Sequence, residues 1–162
     1  MVLVPQIADA VSIPVIAAGG IADGRGMAAA FMLGAQGVQI GTRFVASQEA
    51  QVHENYKNYI VKAKDIDSRV TGRSTGHPVR ALRNQMTKNY LEKEQAGVPF
   101  EELELLTLGS LRKAVVEGDV VNGSVMAGQS AAMIHDILPC KEIIEKLIAQ
   151  AEAVMKGMGN HE

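Results

Sequence analysis

Apolar residues recur at Leu3, Val4, Ile7, Ala8 and Val11, the three-and-four spacing that gathers side chains on one helix face. The spacing predicts a helix over 2–11, with Pro5 tolerated in the first turn and Ser12 ending it. Residues 14–18 form an unbroken apolar run, the pattern of a strand buried on both faces. Gly19-Gly20 then supplies a turn. Residues 25–33, rich in Ala and Met, read as a helix that stops near Gly34, and 37–40 as a second buried strand. Helix, strand, helix, strand with loops of a few residues implies a parallel sheet.

After Phe44 the pattern becomes more polar. A helix is expected over 48–63. Residues 65–76 form a Gly/Ser/Thr/Arg-rich connector, with a short strand at 69–71. Residues 79–95 read as a helix, interrupted by Gly97-Val98-Pro99. Residues 100–117 read as a helix broken near Gly109, and 118–123 as a turn-rich loop. A small-residue helix is expected over 124–134. An amphipathic helix is expected over 142–155, with Ile143, Ile144, Leu147, Ile148, Ala151 and Met155 on one side. The tail from Gly157 is expected to fray. The methionines at 27, 32, 86, 126, 133 and 155 fall mostly on these helices, as core filler. The chain shows no internal repeat and no low-complexity segment.

Composition narrows the function classes. The 162 residues carry a net charge of −2 with no basic block, which argues against nucleic acid or an anionic membrane as the main partner. Trp is absent and aromatics are 4% of residues, so there is no base-stacking platform. Cys140 is the single cysteine; it can form no intrachain disulfide and cannot alone build a zinc site. A reducing, cytoplasmic setting fits this composition. The apolar start lacks a basic leader region, and no apolar run approaches the roughly 20 residues of a membrane helix. A complete eight-stranded βα barrel takes about 250 residues, more than the chain has.

The candidate chemistry lies in two glycine turns. A phosphate needs several donors at close range, and backbone N–H groups serve where no side chain blocks the approach. Gly19-Gly20, at a strand end just before a helix, offers such a nest together with the positive end of the helix dipole. Gly41-Thr42 offers a second set from the neighbouring strand, with the Thr42 hydroxyl as a further donor. Loops after the last two strands of a βα barrel are a frequent phosphate site. Asp23 is placed to cap the following helix. Gln129, a polar amide among small residues, suggests close packing against another backbone. His77 sits in a loop beside Arg73, Arg80 and Arg83, which reads either as a solvated loop or as a patch suited to phosphates or an acidic protein surface. His53, in a polar helix, and His161, in the tail, read as solvent-exposed, and His135 sits near a helix's negative end. Glu101, Glu102 and Glu104 read as a solvated acidic face, and no metal site is predicted.

The run Ile13-Pro14-Val15-Ile16-Ala17-Ala18-Gly19-Gly20-Ile21-Ala22-Asp23-Gly24, followed by Gly37-Val38-Gln39-Ile40-Gly41-Thr42-Arg43-Phe44, resembles the nitronate monooxygenase (2-nitropropane dioxygenase) family of FMN barrels. More closely it resembles the flavin-dependent enoyl-acyl-carrier-protein reductases, type II. Thr75-Gly76-His77-Pro78-Val79-Arg80-Ala81-Leu82-Arg83-Asn84 is similar to the reductase insertion. Gly118-Asp119-Val120-Val121-Asn122-Gly123-Ser124-Val125-Met126-Ala127-Gly128-Gln129 is similar to its late glycine-rich segment. The resemblance implies the C-terminal part of an FMN-binding (βα)8 TIM barrel, an α/β fold, followed by a mostly helical extension. Three parts are expected: the last two βα units at 1–47, a mostly helical insertion at 48–117, and C-terminal helices packing back on the barrel at 118–162. The resemblance places Ala18, Gly19 and Gly20 on one side of the FMN phosphate and Gln39, Ile40, Gly41 and Thr42 on the other, and Gln129 packs either against backbone or against the flavin.

The implied reaction is hydride transfer, from NADH or NADPH to FMN and on to a trans-2-enoyl thioester carried by acyl carrier protein. The rival reading is a nitronate monooxygenase, in which the flavin reacts with oxygen. The family's Gly-Gly-His motif, whose histidine serves the active site, has no counterpart in this sequence, so no catalytic residue carries over. The resemblance spans nearly the whole chain but only the C-terminal half of the family's length, and the chain is expected to be the back half of a longer enzyme. A third reading makes it a non-catalytic flavin- or phosphate-binding piece. Two strands with open lateral edges predict a homodimer, or association with a missing N-terminal half.

Overall fold

The computed structural model describes residues 2–158, and His161 lies outside them. Helix α1 (Leu3–Ala10) leads to strand β1 (Ile16–Ala18), helix α2 (Gly24–Met32) and strand β2 (Gly37–Gln39). β1 and β2 pair in parallel, Ala17 opposite Val38, with α2 as the crossover between them. Ala17, Ile21, Ala30 and Ala35 form a small core here, against which Val4, Met27, Val38 and Ile40 pack. The expectation of strands buried on both faces is corrected. Only Ala17 of β1 is buried, and Ile16 is 54% exposed. The apolar run was read as fully covered, but β1 has one strand neighbour among the described residues, so half of its surface has nothing to pack against. The two strands close no barrel.

Four residues, Thr42–Val45, form the short helix α3 directly after β2, and helix α4 covers only Glu54–Val61. The expected helix over 48–63 therefore begins late. Residues 48–53 instead run beside the chain's C-terminal part: Ser47 bridges Leu138, and the Gln48 N–H donates to the Leu138 carbonyl at 3.0 Å. His53 caps α4 through Nδ1, which accepts from the Asn55 N–H.

A second correction falls on 79–95. Residues Val79–Leu82 are strand β4, paired antiparallel with β3 (Ser68–Thr71), and helix α5 starts only at Gln85. Asn84 sets that start: its side chain accepts from the Thr87 N–H, and the Thr87 hydroxyl accepts from the Asn84 N–H, a reciprocal capping box. The region 48–117 thus contains a hairpin as well as helices. Helices α6 (Phe100–Thr107) and α7 (Ser110–Val115) follow, separated at Gly109. Its φ of +72° is the left-handed conformation that glycine adopts without strain.

The helix expected over 124–134 is also corrected. Residues 124–128 are extended, and only Gln129–Met133 forms a 3-10 turn. Val125 accepts from the Leu82 N–H at 2.9 Å, and Ala127 donates to the Arg80 carbonyl at 3.3 Å. Pairing with β4 satisfies these backbone groups and outweighs the weak helical preference of small residues. Val125, Ala127, Ala131 and Ile134 enter the main core with Tyr56, Ile60 and Leu82.

Helix α8 (Cys140–Met158) closes the chain, packed on α2. Its N-terminus is capped from far away in sequence: the Glu49 carboxylate accepts from the Cys140 N–H at 2.9 Å. Ile143, Leu147 and Ala151 are buried, while Ile144 and Ile148 are partly exposed. α2 approaches closely because Gly24 has no side chain. A Cβ there would stand 2.5 Å from the Leu147 oxygen and the Ala151 nitrogen of α8. The Gly24 N–H donates to Gln150 Oε1 at 2.8 Å. No helix among the described residues is long and apolar enough to cross a membrane.

Candidate functional site

The glycine turns after β1 and β2 meet at one cavity of about 280 Å³, lined by Ala18, Gly19, Gly20, Gln39, Gly41 and Thr42, and also by Gly128 and Ser130. Parallel pairing sets both turns at the same end of the two-stranded sheet. Gly19 and Gly20 have φ of +89° and +75°, so the chain turns sharply here, in a conformation a side chain would oppose. A Cβ at Gly19, Gly20 or Gly41 would meet no protein atom within 4 Å. The backbone at these positions is bare toward the opening, and the N–H groups of Gly20, Gly41 and Thr42 take no acceptor among the described residues.

Thr42 joins the two halves of the rim. Its Oγ1 accepts from the Gly128 N–H at 3.0 Å, which leaves the hydroxyl proton to donate elsewhere. Next to it, Arg43 is buried and reaches Asp136, donating to the carbonyl oxygen at 2.8 Å and to Oδ1 at 2.7 Å. Thr42 before the 3-10 turn and Arg43 after it hold the segment 128–136 against α3. A third tie acts further back. The Tyr56 hydroxyl donates to the Met126 carbonyl at 2.8 Å, and burial pushes its pKa up to about 12, so the phenol keeps its proton.

Asp23 caps α2, accepting from the Arg25 and Gly26 N–H groups. Partial burial alone would raise its carboxyl, but hydrogen bonds from the Arg25 side chain and the Gly26 and Arg25 amides outweigh this and hold it below the ordinary aspartate value.

Two sequence-predicted site residues stand apart from the cavity lining. Ile40 lines an apolar pocket on the opposite side, with Phe44, Ile144 and Ile148, because alternation along β2 sends it away from Gln39 and Gly41. Gln129 is exposed and lies between Gly128 and Ser130, which do line the cavity. Sequence reasoning missed Gly128 and Ser130. Their signal was the glycine in Met126-Ala127-Gly128-Gln129, hidden by the expected helix. In the basic patch, Arg80 donates to Ser68 Oγ and Arg83 pairs with Asp67. His77 lines a separate cavity, of about 350 Å³, between the β3–β4 hairpin and α5–α7. His135 is exposed and follows the 3-10 turn instead of ending a long helix. No group of three or more His, Cys, Asp or Glu converges as a metal site among the described residues.

A parallel βαβ unit whose glycine turns open on one cavity defines an α/β protein in class. The comparisons with known proteins are more particular. The family model described as nitronate monooxygenase matches residues 1–150. A probable nitronate monooxygenase of Staphylococcus saprophyticus is 36% identical over 96% of this chain and 43% of the relative. The structure of FabK from Thermotoga maritima is 51% identical with a TM-score of 0.93, over 99% of this chain and 51% of that one. A nitroalkane oxidase from Streptomyces ansochromogenes is 30% identical with a TM-score of 0.78, over 97% of this chain and 44% of that one. The chain belongs to the nitronate monooxygenase family. It spans about half the length, or less, of these relatives.

Proposed function

We propose that this chain forms the phosphate-binding end of an FMN site and is the C-terminal portion of the (βα)8 barrel of a flavin-dependent oxidoreductase. The observation that carries the reading is the 280 Å³ cavity whose rim offers bare glycine backbone, amide N–H groups without protein acceptors and the free proton of the Thr42 hydroxyl. These are the donors a phosphate dianion needs. Gly19 and Gly20 take one side of the phosphate; Gly41 and Thr42 take the other, with Ser130 between. FMN, when bound, supplies the hydride chemistry; the chain's own part is to hold and orient it.

The insertion resemblance and the 51% identity to FabK favour reduction of a trans-2-enoyl thioester borne by acyl carrier protein, with NADH or NADPH as reductant. The curated relatives' name favours the second reading, nitronate oxidation with oxygen. NADH consumption with a crotonyl thioester against oxygen uptake with a nitronate separates the two. The open edges of the β1–β2 pair and the exposed Ile13 and Ile16 support self-association or pairing with the preceding half of the family fold. A clean monomer on size-exclusion chromatography counts against that.

Flavin retention tests the central proposal. FMN is added to the purified chain, the excess is removed, and the visible spectrum and stoichiometry are recorded. Equimolar retained flavin is the expected result. A folded chain that keeps none overturns the reading and leaves a non-catalytic half.

A further inference from the structure

Helices α6 and α7 leave apolar side chains in solvent. Leu105 and Leu108 are 70% and 75% exposed, among the most exposed large apolar side chains of the described residues, and Val116 is 56% exposed. The cause is local. Leu103 takes the buried face of α6, and Ser110 and Ala114 take that of α7, so residues at the complementary helical positions point away from the core. Leu105 and Leu108 stand three apart on one face of α6, and Glu101 and Glu102 stand one turn earlier on that face. On α7, Arg112, Lys113 and Val116 share the exposed side. Exposed apolar surface rimmed by charged side chains marks a contact site.

The order of the charges selects the occupant. Two carboxylates, Glu101 and Glu102, precede the leucines, and two cations, Arg112 and Lys113, follow them. Glu101, Glu102 and Lys113 enter no ion pair among the described residues, and Arg112 meets Glu117 only at 3.9 Å. Glu104 belongs elsewhere, in the lining of the cavity beside the hairpin. A partner of one sign is attracted to one end of this surface and repelled by the other. A second copy turned end for end sets acid on base at both ends, with leucine on leucine between. Such self-complementarity is what a two-fold axis requires, each residue of one copy meeting its counterpart's partner in the other. We propose that the α6–α7 surface is a two-fold interface with a second copy of this chain, centred on Leu105 and Leu108. It is distinct from pairing at the open edge of β1, and it does not depend on the flavin reading.

The test is sedimentation velocity of the 162-residue chain over a concentration series. Ile16→Lys, which charges the exposed edge of β1, is expected to be dimeric, and the other variants are made in that background so that strand-edge pairing does not contribute. Leu105→Glu with Leu108→Glu is expected to leave only monomer. Glu101→Lys with Glu102→Lys makes both ends basic, and Arg112→Glu with Lys113→Glu makes both ends acidic. Each reversal is expected to raise the dimer dissociation constant about tenfold or more. Mixed in equal amounts, the two reversed variants are expected to pair with one another at close to the starting affinity. Circular dichroism melting establishes that each variant is folded, and the mixing result stands even if the leucine variant is not. A chain that is monomeric throughout, a dimer lost in Ile16→Lys, a dimer that persists in the folded leucine variant, or reversed variants that fail to pair on mixing overturns the proposal. FMN retention is recorded on the same samples. Dimerisation without flavin retention removes only the flavin reading; flavin retention without dimerisation removes only this one.

Discussion

Gly41→Val separates binding from folding. Gly41 has φ −92° and ψ −72°, backbone that any residue adopts, and its Cβ would meet nothing within 4 Å. The fold should therefore accept valine within about 0.5 kcal/mol, as at an ordinary surface position. The phosphate should not, because the new methyl groups stand over the Gly41 and Thr42 amides. A hydrogen bond to a charged group contributes about 1.5–3 kcal/mol. Loss of one such bond weakens FMN binding about ten- to hundredfold, and loss of both weakens it further. The matched control is Gly24→Ala, where the Cβ would lie 2.5 Å from backbone atoms of α8. The helices must separate, at a cost of about 1–3 kcal/mol, from a position that does not itself line the cavity. FMN affinity is read by quenching of flavin fluorescence, and stability by urea denaturation. The reasoning predicts opposite patterns: lost affinity with retained stability for Gly41→Val, and the reverse for Gly24→Ala. A folded Gly41→Val that binds FMN as the wild type does removes these glycines from the phosphate site.

Three further predictions concern stability. The chain should lose stability as pH rises from about 10 to 12. The fold holds the Tyr56 phenol protonated up to about 12, while the unfolded chain releases the proton near 10. The stabilisation, complete below the unfolded value, is lost across that window and amounts to about 3 kcal/mol at most. Burial raises Tyr59 and Tyr90 in the same direction, so Tyr56→Phe should flatten the alkaline limb of a urea-midpoint profile only in part; an unchanged limb refutes the assignment. Asp23→Ala should cost about 1 kcal/mol through loss of the α2 cap, measured at neutral pH. Because its folded-state pKa is lowered, the wild-type advantage should fade as pH falls below the aspartate range. Asp136→Ala leaves the buried Arg43 guanidinium with only the backbone carbonyl and should cost about 2 kcal/mol. It should also weaken FMN binding, because one of the two ties of the 128–136 wall is reduced to a single backbone hydrogen bond; full retention of affinity would show that the pair is structural alone.

The order of helices and strands through Gly41, the break at Gly109 and the amphipathic C-terminal helix were legible because each depends on local chemistry: periodicity, glycine conformation and turn residues. The two glycine turns were legible for the same reason. Parallel strands of equal length bring their C-terminal turns together whatever else the fold does. The reading of 79–82 and 124–134 as helical failed because a four-residue stretch with three apolar positions, or a run of small residues, carries no decisive period. Their state was decided by β3, paired with Val79–Leu82, and by β4, which bonds to Val125 and Ala127. Nor does local sequence predict that Gly128 and Ser130 complete the cavity between the glycine turns, that Ile40 faces α8, or that Glu49 caps a helix beginning at Cys140. Each of these depends on contacts between residues far apart in the chain. Short-range chemistry wrote the elements and one half of the site into the sequence; the second wall of the site exists only because hydrogen bonds to distant strands hold an otherwise indifferent segment extended.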